Sequence, residues 1–243
     1  MLILATDTSG QSGGITLAEA NVDELRLIES SAIAGGTFSA QLIPTLTALL
    51  KKHGYRAADI GGFAVASGPG SFTGLRVGLS AIKGLAETLH KPIATVSMLE
   101  AIASLSSRNG KIAGAIDAGR QEVFLGVFEK YSENSAKSSV NKSPGKKSHQ
   151  GLQKQREELL TQQDFLAALA ATEPAWLVTS DASLAELAAE ANCAVEMIAR
   201  PTSEVIARIG ALKLLANETV SVEALDANYL RRSDAEIFFK GNR

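Results

Sequence analysis

The strongest constraint on the fold is that the chain states one arrangement twice. The run LILATDTSGQSGGITLA near the start and the run IAGAIDAGRQEVFLGVF from Ile112 share a layout. In each, an apolar strand ends in an aspartate, Asp7 or Asp117, a glutamine follows four places on, Gln11 or Gln121, and a second apolar strand begins soon after. Two copies starting about 110 residues apart imply a duplicated lobe rather than one continuous sheet. The first copy reads as three strands (Leu2–Ala5, Gly14–Ala18, Leu25–Ile28), a helix over Ser39–His53, a buried strand at Phe63–Ala66 and a long helix from Ser71 to His90. A strand at Pro92–Val96 follows, then a helix opened by the capping box Ser97-Met98-Leu99-Glu100. The order β-β-β-α-β-α-β-α is a mixed α/β lobe.

The second copy begins at Lys111. It predicts a helix around Gln163–Ala171, a strand at Trp176–Thr179, a helix near Leu184–Ala191 opened by Ser183-Leu184-Ala185-Glu186, and a helix over Glu204–Ala216. Between its strands and helices lies Ser132–Glu158, rich in Ser and Lys and without aromatic residues. Such a stretch buries too little apolar surface to order itself, so it reads as a polar, disordered insertion. The expected organisation is an N-terminal lobe at 1–108, a C-terminal lobe at 109–225 interrupted near 132–158, and a tail at 226–243. Hydrophobic residues at 45% and charged residues at 21% suit a packed core. The net charge of −2 gives no overall pull towards nucleic acid or an acidic membrane surface. A single cysteine, Cys193, in the apolar setting ANCAV reads as a packed thiol. With no basic leader before MLILATD and no apolar run of the ~18 residues a membrane span needs, the expectation is a soluble protein of a reducing compartment.

The stretch ASGPGSFTGLR, Ala66–Arg76, sets three glycines and a proline between strand and helix, where phosphates are often held. A Walker loop would follow its last glycine with Lys and then Ser or Thr; Gly74 is followed by Leu75 and Arg76. The Rossmann spacing fails by one residue at Gly68-x-Gly70-x-x-x-Gly74, and a nucleophile elbow fails because Pro69 and Thr73 flank Ser71. His53, His90 and His149 have no ligand partners at metal-binding spacing, so no metal site is expected and no residue stands out as catalytic. Asp7, with Thr8 and Ser9 beside it, and Asp117 have two readings. Each could face a cleft between the lobes and orient magnesium or an attacking oxygen, or each could cap its own hairpin turn. The helix after the glycines has two apolar stripes, Leu75-Leu79-Ile82-Ala86-Leu89 and Val77-Ala81-Leu85, which is more than one sheet contact requires. Gly74, Gly78 and Ala81 leave room for another backbone, so the helix reads as a candidate contact with a second chain.

The blocks ILATDTS, SAQLIP, ASGPGSFTGLRVGLSAIKGLA, VSMLEAIA, AIDA and NYLRRSDA together resemble the bacterial TsaB (YeaZ) family, almost from end to end. The resemblance implies the actin-like ATPase fold (ASKHA, ribonuclease H-like lobes) with a degenerate cleft. It implies a non-catalytic cytoplasmic partner in making threonylcarbamoyladenosine beside the anticodon of tRNA. The implied partners are the metal-bearing transferase paralogue TsaD and the ATPase TsaE, with a homodimer when the chain is alone and tRNA reached through the complex. Carried over by position, the partner interface is Leu42, Thr45, Leu46, Leu75, Gly78, Leu79 and Ile82. A residual nucleotide site would use Asp7, Thr8, Ser9 and Asp117, and any ATP or ADP with Mg would lie at the partner interface; no resident cofactor is expected. Two departures bear on that residual site: Phe38 stands where the family often has a histidine, and Asp117-Ala118-Gly119-Arg120 stands where it tends to read Asp-Ala-Arg. An ATPase or kinase active by itself is the first alternative function, and a peptidase the second.

Overall fold

The computed structural model describes residues 1–131, 151–171, 176–228 and 230. The first copy forms β1 (Leu2–Asp7), β2 (Ser12–Ala20), β3 (Leu25–Ala34), α1 (Phe38–Lys52), β4 (Ile60–Gly68), α2 (Phe72–Leu89), β5 (Ile93–Ser97) and α3 (Met98–Ser104). The second forms β6 (Gly110–Gly119), β7 (Glu122–Lys130), β8 (Leu152–Thr161), α4 (Gln162–Ala171), β9 (Trp176–Thr179), α5 (Ala182–Glu190), β10 (Val195–Met197) and α6 (Ser203–Leu215). The sheet orders, β3-β2-β1-β4-β5 and β8-β7-β6-β9-β10, are the same order written twice. In each, the first three strands run antiparallel and the last two join the first in parallel. This is the duplicated α/β architecture that the repeated hairpins imply, and the actin-like fold that the family resemblance implies.

Strand β1 is buried at every residue because both of its faces are covered. Leu2 and Leu4 pack under α1 and α2, whereas Ile3 and Ala5 pack under α6. Helix α6 therefore lies on the first sheet, although the sequence reading had put it in the C-terminal lobe. Its counterpart α3 crosses the other way, setting Leu99, Ile102 and Ala103 against Ile112, Phe124 and Phe128 of the second sheet. The swap follows from the chain path. Each sheet covers one face with its own two helices and borrows the last helix of the other copy for the second face. Close approach is built in: a Cβ at Gly210 of α6 would strike that of Ala64 in β4, and one at Gly126 in β7 would come 2.9 Å from the Cβ of Leu99 in α3. The borrowed helices also tie to each other, through Lys213 Nζ donating to Glu100 Oε2 at 2.6 Å.

The expected disordered insertion is wrong over its last part. Residues 152–158 belong to β8, which pairs along the length of β7; residues 132–150 lie outside the described ones. Ladder hydrogen bonds, rather than apolar burial, order this charged edge strand. The capping reading is right at Ser97, whose Oγ accepts from Leu99 N and Glu100 N. It is off at the later helix, where α5 starts after Asp181 instead of Ser183. Cys193 is half-buried beside the core of the second lobe, and burial pushes its thiol pKa up, consistent with a packing role.

Candidate functional site: the interlobe cleft and the glycine turn

Between the lobes lies a cleft of about 1560 Å³, walled by the β1–β2 turn, the glycine stretch, the first turn of α2, the β6–β7 turn and the link from β10 to α6. The C-terminal ends of β1, β4, β6 and β9 all lead into it, as the parallel parts of two such sheets require. Asp7 ends β1 and Asp117 lies two residues before the end of the equivalent β6, and each first serves its own turn. Asp7 Oδ1 accepts from Ser9 N at 2.8 Å, and Asp117 Oδ1 accepts from Gly119 N at 2.8 Å, the same side-chain-to-backbone bond two residues on.

Beyond that the copies diverge. Asp7 is 2% exposed, and Ser9 Oγ donates to its Oδ1 at 2.6 Å. Arg200 Nη2 donates to Ser9 Oγ at 2.8 Å and reaches Asp7 Oδ2 at 3.4 Å. Thr8 and Ser9 are buried as well, so the turn is closed by its own residues. Asp117 is exposed on the cleft wall, and its backbone N–H donates to Asp181 Oδ2 at 2.7 Å. Of the four site residues read from the sequence, Ser9 and Asp117 line the cleft, whereas Asp7 and Thr8 are buried behind it, with Asp7 committed to a turn and an internal cation. Ser9 N–H is spent on Asp7, and the guanidinium of Arg200 lies where a Cβ of Gly10 would be, 2.5 Å from its Cζ. Among the described residues no group of three or more His, Cys, Asp or Glu could hold a metal ion.

The glycine stretch serves contacts inside the chain. Ser71 caps α2, its Oγ accepting from Gly74 N at 3.2 Å, and its own N–H donates to Ser9 O at 2.7 Å. A Cβ at Gly70 would strike Ser9 O, one at Gly74 would strike Thr8 O, and one at Gly78 would strike Thr8 Oγ1. The backbone for which these glycines make room is therefore the chain's own β1–β2 turn, not a second chain. Gly68 has a further reason to be glycine, since its φ of 103° lies in the region that side chains avoid.

The interface residues carried over by position lie mostly on the inward sides of α1 and α2. Leu42, Leu46, Leu75, Leu79 and Ile82 are 7% exposed or less and pack in the core under α1 and α2; Gly78 is buried too, and Thr45 alone is half-buried. Each such apolar side chain contributes roughly 1.5–3 kcal/mol by burial against the sheet, so the stripe is what holds the helices on. The outward face of the pair carries Ile43, 44% exposed, Phe72, 38% exposed, and Thr47, Ser80 and Gly84. Arg76 stacks over the ring of Phe72 at 3.7 Å. Sequence reasoning missed Arg200, Asp181 and Asn228. Asn228 bridges the lobes by donating its N–H to Ser67 O at 2.7 Å and its Nδ2–H to Glu157 Oε2 at 2.9 Å. No local pattern flags these residues, because each acts on a partner far along the chain.

The profile of the family described as "TsaD: tRNA N6-adenosine threonylcarbamoyltransferase" matches residues 31–238. A Bacillus subtilis protein named tRNA threonylcarbamoyladenosine biosynthesis protein TsaB is 34% identical over 53% of this chain and 56% of its own length. Its namesake from Escherichia coli is 29% identical over 54% and 56%. The alignments thus span about half the length of these curated relatives. The solved YeaZ structure from Pseudomonas aeruginosa superposes with a TM-score of 0.70 over 93% of this chain and 100% of that one, at 21% identity, and so shares the fold. On the profile match over most of its length and these relatives, the chain belongs to the TsaD family of tRNA threonylcarbamoyladenosine proteins, among its TsaB (YeaZ) members.

Proposed function

We propose that the chain is a non-catalytic partner in the formation of threonylcarbamoyladenosine in tRNA, pairing in the cytoplasm with the transferase paralogue TsaD, with the ATPase TsaE joining them. In this reading tRNA is reached through the complex, and the chain alone rests as a homodimer. Kinship supports the pathway. The observation that carries the non-catalytic part is the closed β1–β2 turn: Asp7, the carboxylate best placed for chemistry, is buried against Ser9 and Arg200. An Asp that is 2% exposed and held by Ser9 and Arg200 presents little of its carboxylate to a substrate. The surface offered to the partner is the outward face of α1 and α2. There Ile43 and Phe72 supply apolar area, while Ser80 and Gly84 let another helix approach closely.

The test is an omission experiment in a reconstituted reaction with tRNA, threonine, bicarbonate, ATP and the partner proteins. Modified adenosine should disappear when this chain is left out and return when it is added back. Equal product without it would overturn the proposal. Turnover of ATP by the chain alone, lost in Asp7→Asn, would favour an ATPase of the same fold instead.

A further inference from the structure

Helix α2 takes its bearing from the β1–β2 turn. Ser71 N–H, at the head of the helix, donates to Ser9 O at 2.7 Å, and Gly70, Gly74 and Gly78 abut Thr8 and Ser9. The turn itself is held from the other half of the chain. Arg200, in the link between β10 and α6 and 191 residues beyond Ser9, donates to Ser9 Oγ at 2.8 Å and pairs with Asp7 at 3.4 Å. Gly10 packs directly on the guanidinium. A separate bond of 2.8 Å between the hydroxyls of Thr16 and Ser203 fastens the start of α6 to the middle of β2, away from the turn. One side chain therefore connects the second lobe to the residues against which α2 is seated.

We propose that Arg200 is a positioning residue for α2, clamping the β1–β2 turn so that the outward face of the helix is presented to the partner in one orientation. The proposal rests on the reading of that face as the partner surface. The clamp depends on the planar guanidinium as well as its charge, because one nitrogen serves both Ser9 and Asp7 while the plane of the group lies against Gly10. The hydrogen bonds of Arg200 go to Ser9 and Asp7, so its effect on a partner passes through the turn and Ser71.

Partner binding is measured for the wild type, Arg200→Ala, Arg200→Lys and the outward-face variant Ser80→Arg, with amide hydrogen exchange followed in the same proteins. Arg200→Ala should weaken binding about tenfold, equivalent to about 1.4 kcal/mol. It should speed exchange in the first turn of α2 and leave the second sheet unchanged. Methylguanidinium added to Arg200→Ala should restore part of the binding, and Arg200→Lys should fall between. If Ser80→Arg weakens binding and Arg200→Ala does not, the clamp is refuted while the partner surface stands. If Ser80→Arg binds normally, the partner surface falls and the proposal with it. Faster exchange throughout both lobes in Arg200→Ala would make the residue one of general stability and would also refute positioning. Should the alanine variant not fold, the same comparison is read from Arg200→Lys, for which normal binding and normal exchange would overturn the proposal.

Discussion

Three glycines of one helix allow a test in which a single substitution has opposite signs at different positions. Alanine in place of glycine inside an exposed helix stabilises by about 1 kcal/mol, from propensity alone. Gly84 of α2 is exposed, and an added Cβ there meets nothing within 4 Å, so Gly84→Ala should gain that full amount. At Gly78 the new Cβ would strike Thr8 Oγ1 and lie 3.2 Å from both Thr8 Cβ and Cγ2. Rotating the Thr8 side chain moves Oγ1 and Cγ2 together within a buried site and leaves the Cβ contact, so overpacking of roughly 1–3 kcal/mol offsets the propensity gain and exceeds it. At Gly74 the obstacle is the carbonyl oxygen of Thr8, which moves only if the whole β1–β2 turn moves. The position lies in the first helical turn, where the propensity gain is smaller, so the net loss should approach ~2–3 kcal/mol. Thermal unfolding of the three variants measures the order. Gly84→Ala should melt roughly 2–4 °C above wild type, Gly78→Ala below it and Gly74→Ala lowest. A Gly74→Ala protein at least as stable as wild type, or a Gly78→Ala protein matching Gly84→Ala, would show that α2 is not seated on the turn as described.

Two further outcomes follow from the packing and the charges. Leu79→Glu, which on the carried-over interface would only weaken partner binding, should instead fail to give folded protein, because it puts a carboxylate at a site 7% exposed in the core under α2; a soluble Leu79→Glu protein with a normal circular dichroism spectrum would contradict the burial. Glu29 accepts from Lys52 and His53, and these hydrogen bonds, Lys52 first, hold its carboxyl below the usual range. A lowered folded-state pKa contributes stability above the ordinary glutamate value near ~4.3 that fades as the pH falls through the folded value. Glu29→Gln should therefore melt below wild type at neutral pH, with the gap closing in acid; a gap that widens in acid would reverse the assignment.

The duplication was legible in sequence because it is written in periodicity and punctuation. Apolar strands ending in Asp7 and Asp117, with glutamines at matched offsets, fix two hairpins, and everything after each hairpin follows in the same order. Periodicity does not, however, say what covers a face. The borrowed helices α3 and α6 carry ordinary apolar patterns, and nothing local distinguishes packing on one sheet from packing on the other. Strand β8 was missed for a related reason. Its sequence LQKQREELLT is too charged to look buried, and it is ordered by pairing its backbone with β7.

The same gap between composition and direction governs the candidate site. On α2 two apolar stripes and several glycines were visible, and a helix richer in apolar residues than one sheet demands does suggest a second contact. Both stripes, however, pack on the chain's own core. Leu75, Leu79 and Ile82 form the broader stripe and are taken by the chain's own core, as the largest apolar face of a single-lobe helix should be. What remains outward is small: Ser80, Gly84 and half-buried Ala81, bounded by Phe72 near the start of the helix. As the proposed partner surface, such a face would bind by letting a second backbone come close rather than by burying long side chains, so the position of the helix matters. That is why the residues that fix α2 from beneath, Thr8, Ser9, Ser71 and through them Asp7 and Arg200, belong to the functional account although none of them lies on the outward face. On the proposed reading, the aspartate that ends β1 serves as an internal fastening, and that fastening gives the outer helix a fixed seat.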